Sequence, residues 1–191
     1  MSPPHTHRVT DFSLIETLYK TRLKKDFLPN ELKPLSSMRR AWNRGAYDAY
    51  VLLGDSEILG YAFFVRFGQS RLLDYLAIAE NHRGNGLGSV FWRQRSAILP
   101  AEECILCEVE DPDKAPDELT RIERERRLRF YLRCGFRQTA LSSRVFGADY
   151  RLLEASSGTA HPDEQLRRIY TDLYRRTLPA FFFRTQFRVF L

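Results

Sequence analysis

The chain is poor in cysteine and has no long apolar run. Its 191 residues include three cysteines, which are too few and odd in number for the disulfide framework of a small secreted domain. No window approaches the roughly 18 consecutive apolar residues of a membrane helix. Residues 1–10 also lack the apolar core of a signal peptide. These absences favour a soluble cytoplasmic protein without a membrane partner.

Two of the cysteines, Cys104 and Cys107, have the C-x-x-C spacing that occurs in zinc and redox sites. The surrounding segment CILCEVE is typical of a strand, and side chains three residues apart in a strand point to opposite faces. No second cysteine pair is present to complete a tetrahedral site. We therefore expect buried structural thiols and no metal.

The composition is that of a globular protein with a local excess of positive charge. The chain is 43% apolar, 28% charged and 13% aromatic, which is unlike a disordered protein, and its length suits one domain. The net charge is +6, and much of the arginine lies between residues 121 and 137. Such a balance fits a nucleic-acid partner, an anionic cofactor or solubility alone.

Hydrophobic periodicity and turn residues predict alternating strands and helices. After a loose lead-in over residues 1–10, the predicted helices cover 12–27, 37–43, 88–98 (ended by Pro100), 117–134 and 162–177. The predicted strands cover 47–53, 58–67, 71–78, 104–110, 136–145, 149–153 and 181–191. This order predicts an α/β (α+β) fold, with a mixed, mostly antiparallel sheet of about six or seven strands and helices on both faces.

A glycine-rich loop within residues 72–91, LLDYLAIAENHRGNGLGSVF, is the most informative stretch. The order is strand, loop, helix, and the loop comprises Arg83, Gly84, Asn85, Gly86, Leu87, Gly88 and Ser89. A glycine loop that opens a helix presents backbone N–H groups to an anion at the positive end of the helix dipole. We interpret this loop as a diphosphate cradle.

Other phosphate motifs fit the loop less well. The dinucleotide-binding fingerprint is G-x-G-x-x-G after a β-α-β start, whereas these glycines stand at 84, 86 and 88 and follow a predicted hairpin. The G-K-[ST] of a Walker loop is absent. A tight turn without a ligand remains the alternative.

Two motifs together resemble the GCN5-related N-acetyltransferase (GNAT) superfamily. The loop residues 83–88, RGNGLG, fit that family's Q/R-x-x-G-x-G/A signature, and residues 131–136, YLRCGF, fit its Y-x-x-x-G-F segment. The linear plan of residues 12–153 also agrees with that of the family. The resemblance implies one acetyltransferase domain over residues 1–191, with the acyl-CoA N-acyltransferase fold and a helix-strand extension at 154–191.

The resemblance also implies an activity and a cofactor site. An acetyl group would pass from acetyl-CoA to a primary amine of a small molecule or a peptide, by direct attack through a tetrahedral intermediate. Backbone N–H groups from Gly84 to Ser89 would hold the diphosphate. Leu76, Ala77 and Ile78 would pair with the pantetheine amides and face the acetyl oxygen. Arg83 would either bind a phosphate or be a solvated loop residue.

The same resemblance makes Tyr131 the candidate general acid. A phenol has a pKa of about 10 and a thiol about 8.5, so proton transfer to the departing thiolate requires a lowered tyrosine pKa, which Arg127 or Arg129 could provide. The alternative is a core tyrosine that anchors the helix end.

Three carboxylates in strands, Asp74, Glu108 and Glu110, are candidates for the general base, and Asp and Glu are rarely buried unpaired. Glu108 ranks first and Asp74 next, and pairing with nearby arginines is the alternative.

The stretch RIERERRLRF departs from the family, since Arg124 and Arg127 stand where Asn and Ala are common. Arg127 is the candidate for phosphate or acidic-acceptor binding. For most of these arginines we expect a solvated helix face with the i,i+4 pairs Glu123→Arg127 and Glu125→Arg129.

Two further functions remain open. The chain could be a catalytically silent acyl-CoA-binding sensor. A nucleic-acid-binding module is less favoured, because aromatic and basic residues interleave only in FFFRTQFRVF, where we expect the rings to pack inward. That aromatic end could equally form a homodimer. The sequence does not identify the amine acceptor.

Overall fold

The computed structural model describes residues 3–29, 31–94, 104–156 and 158–191. The strands are β1 His5–Arg8, β2 Tyr47–Leu53, β3 Ile58–Phe67, β4 Ser70–Ile78, β5 Cys104–Glu110, β6 Arg137–Val145, β7 Ala148–Ala155 and β8 Phe187–Phe190. The α-helices are α1 Phe12–Leu18, α2 Lys24–Asp26, α3 Leu35–Asn43, α4 Leu87–Arg93, α5 Glu118–Arg133, α6 Asp163–Thr177 and α7 Ala180–Gln186.

The sheet has the strand order β1-β2-β3-β4-β5-β7-β6-β8. The pairs β1–β2, β2–β3, β5–β7, β6–β7 and β6–β8 are antiparallel. The predicted α/β class with a mostly antiparallel sheet is therefore confirmed, with eight strands instead of six or seven.

The described residues divide into two compact units. Unit 1 contains the residues up to Arg66 and those from Leu73 to Gln94, and unit 2 contains Phe67–Leu72 and the residues from Cys104 onward. Strand β4 starts in unit 2 and ends in unit 1. In unit 2, the Cys104 N–H donates to the Gln69 carbonyl at 3.2 Å, so β5 begins beside the start of β4.

The first predicted helix of unit 1 exists and contains a π-helical turn. It runs through α1, a π turn over Tyr19–Leu23, and α2. Asp11 caps it, since its carboxylate accepts from the Ser13 N–H at 2.9 Å. Apolar residues at helical spacing, Phe12, Ile15 and Leu18, are buried. The sequence pattern was therefore a correct guide to the buried face.

The lead-in over residues 1–10 was wrongly predicted to be loose, because residues 5–8 form strand β1. This strand pairs with β2 from His5↔Leu53 to Arg8↔Tyr50. Its sequence, HTHR, carries little apolar character, as an edge strand can. Its place in the sheet depends on partners far away in the chain, so local patterns do not predict it.

Helix α4 begins at Leu87, one residue before the predicted start. The predicted continuation to residue 98 and the stop at Pro100 lie outside the described residues. The bounds of β2, β3 and β5 agree with those predicted.

The end of the chain differs from the predicted strand over 181–191. Residues 180–186 form α7 after Pro179, and only 187–190 form a strand. Aromatic residues favour strands weakly and in a context-dependent manner, and proline readily precedes a new helical turn because it needs no N–H partner there. Within the described ranges, no helix combines the length and the apolar character needed to cross a membrane.

Candidate functional site

In unit 1, β4 ends in a turn that leads into α4. Leu76, Ala77 and Ile78 are half-buried at the end of the strand, and a 3₁₀ turn over Glu80–His82 follows. Gly84 has φ of 83° and Gly86 has φ of 75°. Both angles lie in the left-handed region that glycine adopts without strain, and Gly86 is the N-cap of α4.

The turn presents backbone N–H groups at an exposed helix start. The N–H groups of Ser89 and Val90 donate to the Gly86 carbonyl at 3.0 and 3.1 Å. By helix geometry, the N–H groups of Leu87 and Gly88 precede any intrahelical acceptor. Residues 84–86 are exposed, and a Cβ on Gly84 or Gly86 would meet no atom within 4 Å. These features fit an anionic group held by the main chain.

The Arg83 side chain connects the loop to other residues of unit 1. Its Nε donates to the Ile78 carbonyl at 2.9 Å, and its guanidinium pairs with Asp26. Asp26 also accepts from the Tyr61 hydroxyl at 2.8 Å. The sequence offered phosphate binding or solvation for Arg83, and both roles remain untested. The contacts show in addition that Arg83 ties the loop to the end of β4.

Asp74 lies in a buried polar cluster of unit 1. Its side chain is 6% exposed, pairs with Lys33, and accepts from the Tyr47 hydroxyl at 2.6 Å. Burial, and then the Asp74 charge, raise the pKa of Tyr47 well above its usual value. The alternative from the sequence was pairing with a nearby arginine, and the cation that pairs with Asp74 is Lys33. A role for Asp74 as a base remains a prediction.

Tyr131 lies near the end of α5 in unit 2, where it contacts β5. Its ring packs edge-on against Phe130 and Phe136, with centroids 5.1 and 5.3 Å away, and its hydroxyl bonds to the Cys107 thiol. Burial raises the pKa of Tyr131 well above the usual phenol value, while Arg127 lowers it to a smaller extent. The expected lowering of the Tyr131 pKa was therefore wrong: the phenol is protonated at neutral pH, but it is a weaker acid than in water.

Glu108 is held on the opposite face of β5 by two tyrosines of α6. Both of its carboxylate oxygens accept from Tyr174 at 2.8 Å, and Tyr170 donates to one of them. The Tyr170 hydroxyl also bonds to Ser143 at 2.8 Å. Since Cys107 and Glu108 are consecutive, their side chains leave the strand on opposite sides. The structure therefore does not bring Tyr131 and Glu108 into contact.

Sequence reasoning missed the two tyrosines that bind Glu108. Tyr170 and Tyr174 lie four residues apart in α6, and by itself this spacing indicates only an apolar stripe on a helix. A carboxylate inside an apolar strand was the available signal that such donors must exist, because buried charges need hydrogen bonds. The sequence offers no means of locating them, since they lie 62 and 66 residues away.

The guanidinium of Arg127 pairs with Glu110 at 3.3 Å. Arg124, which is more deeply buried, binds the same carboxylate at 2.8 Å. The predicted pair of Glu125 with Arg129 is present at 3.5 Å. Among the described residues, Arg127 thus pairs with Glu110 of β5 and not with Glu123 as predicted, and phosphate binding by Arg127 remains a prediction.

One cluster in the described residues has the donor types of a metal site. Cys104, Glu154 and His161 place ligand atoms within 4.8 Å of one another. Arg137 donates to Glu154 at 2.6 Å and the His161 ring bonds to the same carboxylate, so the carboxylate is already balanced by a guanidinium. Burial, and then Glu154, raise the pKa of the Cys104 thiol to about 12. Cys104 and Cys107 are buried and free, in agreement with structural thiols.

Residues 45–138 match the family model of the acetyltransferase (GNAT) domain. This chain carries a GNAT acetyltransferase domain. The match includes both the loop at 83–89 and the segment at 131–136, and it supports an acyltransferase. No curated protein sequence matches the chain significantly.

Solved structures of low sequence identity share the fold of this GNAT protein. A GNAT-family protein of Bacteroides thetaiotaomicron is 20% identical with a TM-score of 0.70, over 92% of this chain and 99% of that chain. A Bacillus subtilis acetyltransferase solved with CoA is 16% identical with a TM-score of 0.53, over 81% and 99%. YncA of Salmonella typhimurium, solved with acetyl-CoA, is 18% identical with a TM-score of 0.53, over 85% and 99%.

The tyrosines on Glu108 predict a loss of stability at high pH. Burial, and then the Glu108 charge, raise the pKa of Tyr170 well above its usual value, whereas an unfolded tyrosine titrates near about 10. Above about pH 10 the unfolded chain therefore binds fewer protons than the folded chain, so the free energy of unfolding falls as pH rises. Replacing Tyr170 with Phe should reduce this slope by up to about 1.4 kcal/mol per pH unit.

Urea unfolding at pH values from about 8 to 11 measures this slope. Ser143→Ala is the matched control, because it removes a partner of the Tyr170 hydroxyl but no titrating proton, so it should keep the slope of the unmodified protein. An unchanged slope in Tyr170→Phe would contradict the assignment.

Proposed function

We propose that the protein is an N-acetyltransferase that moves the acetyl group of acetyl-CoA to a primary amine. The observation that carries this proposal is the turn at 83–89, where two left-handed glycines open a helix with exposed backbone donors. The match of the GNAT domain over residues 45–138 supports a coenzyme A diphosphate as the anion.

The residues of unit 1 have distinct roles in binding the donor substrate. The backbone N–H groups of Gly84 to Ser89 bind the diphosphate, and Leu76, Ala77 and Ile78 offer main-chain groups to the pantetheine amides. Arg83 keeps the loop close to the end of β4 through its bond to the Ile78 carbonyl. Acetyl-CoA supplies the activated acetyl thioester.

The proposed proton transfers involve Tyr131 and Glu108, which belong to unit 2. The less favoured base, Asp74, belongs to unit 1. Tyr131 gives its proton to the departing thiolate, a transfer that the raised pKa of the phenol makes less favourable, and Glu108 receives a proton from the amine through water. The two side chains lie on opposite faces of β5, whereas the amine nitrogen and the thioester sulfur are bonded to one carbon of the tetrahedral intermediate, so the two side chains do not both contact the reacting atoms directly. An alkylammonium has an ordinary pKa of about 10 and a carboxylate of about 4, so Glu108 acts best on an amine whose own pKa is lowered. Asp74 is the second candidate base.

A catalytically silent acyl-CoA-binding domain is the second candidate. The contacts of the two candidate bases favour it, because Glu108 is bound by tyrosines and Asp74 by Lys33. In such a protein these carboxylates would be structural. Acetyl-CoA would still raise the thermal stability, since any ligand specific for the folded state does so. Acetyl transfer is what separates the two candidates.

The cradle is tested by Gly86→Ala, with Gly147→Ala as the matched control. Both glycines have left-handed φ, 75° and 86°, and open space around the Cβ position, so each substitution should cost about 1–2 kcal/mol of backbone strain. Only Gly86→Ala should also weaken acetyl-CoA binding, by about tenfold or more, because it moves the N–H groups that bind the diphosphate. Calorimetric titration with acetyl-CoA measures both affinities. Equal affinity in the two variants would overturn the placement of the diphosphate.

The acid is tested by Tyr131→Phe, with Tyr19→Phe as the control. Release of free CoA thiol is followed with acetyl-CoA and a panel of alkylamines and peptides. If Tyr131 is the general acid, turnover falls about 10²–10⁴-fold while acetyl-CoA affinity changes little. Tyr19→Phe, which loses a bond to the Lys33 carbonyl, should retain turnover. Tight acetyl-CoA binding without thiol release for any acceptor would establish the silent domain instead.

A further inference from the structure

The end of the chain exposes aromatic rings beside arginines. Phe181 is 70% exposed on α7, Phe182 is 43% exposed, and Phe146 is 42% exposed at the β6–β7 turn. Exposed arginines lie on the same or paired elements, one each on α7, β8 and β6. We call this the aromatic–basic surface, and it consists of Phe146, Phe181, Phe182, Arg144, Arg184 and Arg188.

The three rings form one patch, although they come from two elements. The centroids of Phe146 and Phe182 lie 6.0 Å apart, and those of Phe181 and Phe182 lie 5.6 Å apart. The Phe146 N–H donates to the Gln186 carbonyl at 3.0 Å, which fixes the turn against the end of α7. The rings are therefore held in place by the main chain and are not a chance grouping of mobile side chains.

The backbone of Phe146 is strained. Its φ is 47°, and among the described residues it is the one non-glycine residue with positive φ. A bulky residue in this region costs about 1–2 kcal/mol, and such strain is concentrated at functional sites. Next to it, Gly147 has φ of 86°, so the turn type demands left-handed residues at both positions. The turn thus keeps an exposed ring at a position where Asn, Asp or Gly would cost less.

The charge of the surface is positive. Residues 173–191 contain four arginines and no Asp or Glu. Arg144 and Arg188 are directly opposite each other on β6 and β8, where like charges destabilise a strand pair. Arg144 pairs with Asp149 at 3.3 Å, while Arg184 and Arg188 form no ion pair within the described residues. An anion at the surface would relieve this repulsion.

The sequence argued against a nucleic-acid partner because the rings of FFFRTQFRVF were expected to pack inward. That expectation was wrong for Phe181, Phe182 and Phe190, all of which are exposed. Only Phe187 of this segment is buried, where it stacks on Tyr174 at 4.5 Å. The objection from the sequence therefore does not apply to the folded protein.

We propose that the aromatic–basic surface binds single-stranded nucleic acid. Bases stack on exposed aromatic rings without regard to sequence, and arginines follow the phosphates. Two of the rings belong to α7, which has seven residues, and the third to a β-turn, whereas a membrane-binding helix presents one continuous apolar face. The binding is independent of acetyl transfer.

Fluorescence anisotropy with a fluorescein-labelled oligouridine of ten nucleotides tests the full-length protein. We expect binding at low salt, with log affinity falling against log salt by about 0.7 for each arginine that contacts a phosphate. The same oligomer without bases, heparin, and phosphatidylserine vesicles serve as competitors. If heparin or the abasic oligomer displaces the labelled probe as well as unlabelled oligouridine does, charge alone is responsible and the proposal is overturned. The proposal is also overturned if only the vesicles displace the probe, or if the probe does not bind.

Conservative variants distinguish a loss of base stacking from a loss of the folded structure. Phe181→Leu keeps an apolar side chain but removes the ring, so affinity for oligouridine should fall about fivefold or more, and Phe181→Trp should restore it. Arg188→Gln should weaken binding and flatten the salt dependence. Leu119→Ala, at a 77% exposed position of α5, and Arg126→Gln are the controls and should bind as the unmodified protein does. Unchanged affinity in Phe181→Leu would overturn the role of the rings.

Discussion

The first turn of a helix has backbone N–H groups that the helix itself cannot pair, and in α4 these groups lie at an exposed loop. The loop contains Gly84 and Gly86, whose left-handed backbone leads the chain from the end of β4 into α4. Arg83 secures the approach by its bond to the Ile78 carbonyl. An anion would satisfy the donors and complement the helix dipole together, and this backbone arrangement is the basis of the proposed diphosphate site.

Unit 2 contains a carboxylate, that of Glu108, within the apolar strand β5. This carboxylate is tolerated there because Tyr170 and Tyr174 donate hydrogen bonds to it. These bonds join the C-terminal helix α6 to the strand that also contacts Tyr131 through Cys107. A carboxylate so held is either the proposed base or a structural anchor for α6. The acceptor amine bears on this choice, since any carboxylate accepts a proton more readily from an amine with a lowered pKa.

Local sequence patterns predicted the bounds of several strands and the glycine loop. Contacts between residues distant in the sequence were not predictable. The bounds of β2, β3 and β5 and the glycine loop follow from apolar runs and turn residues within a few positions. The strand at residues 5–8, the partners of Glu108 and the pairing of Asp74 with Lys33 each depend on residues far away in the chain. The segment 181–191 is an intermediate case. Its aromatic residues are compatible with a strand or a helix, and the preceding Pro179 and the available packing partners decide between the two.

Amide hydrogen exchange with and without saturating acetyl-CoA tests the central claim most directly, because it reports on the backbone N–H groups themselves. We predict slower exchange at residues 76–78 and 84–89, with residues 180–190 unchanged. Protection confined to other segments, despite saturation by acetyl-CoA, would contradict the account of the loop as the diphosphate cradle.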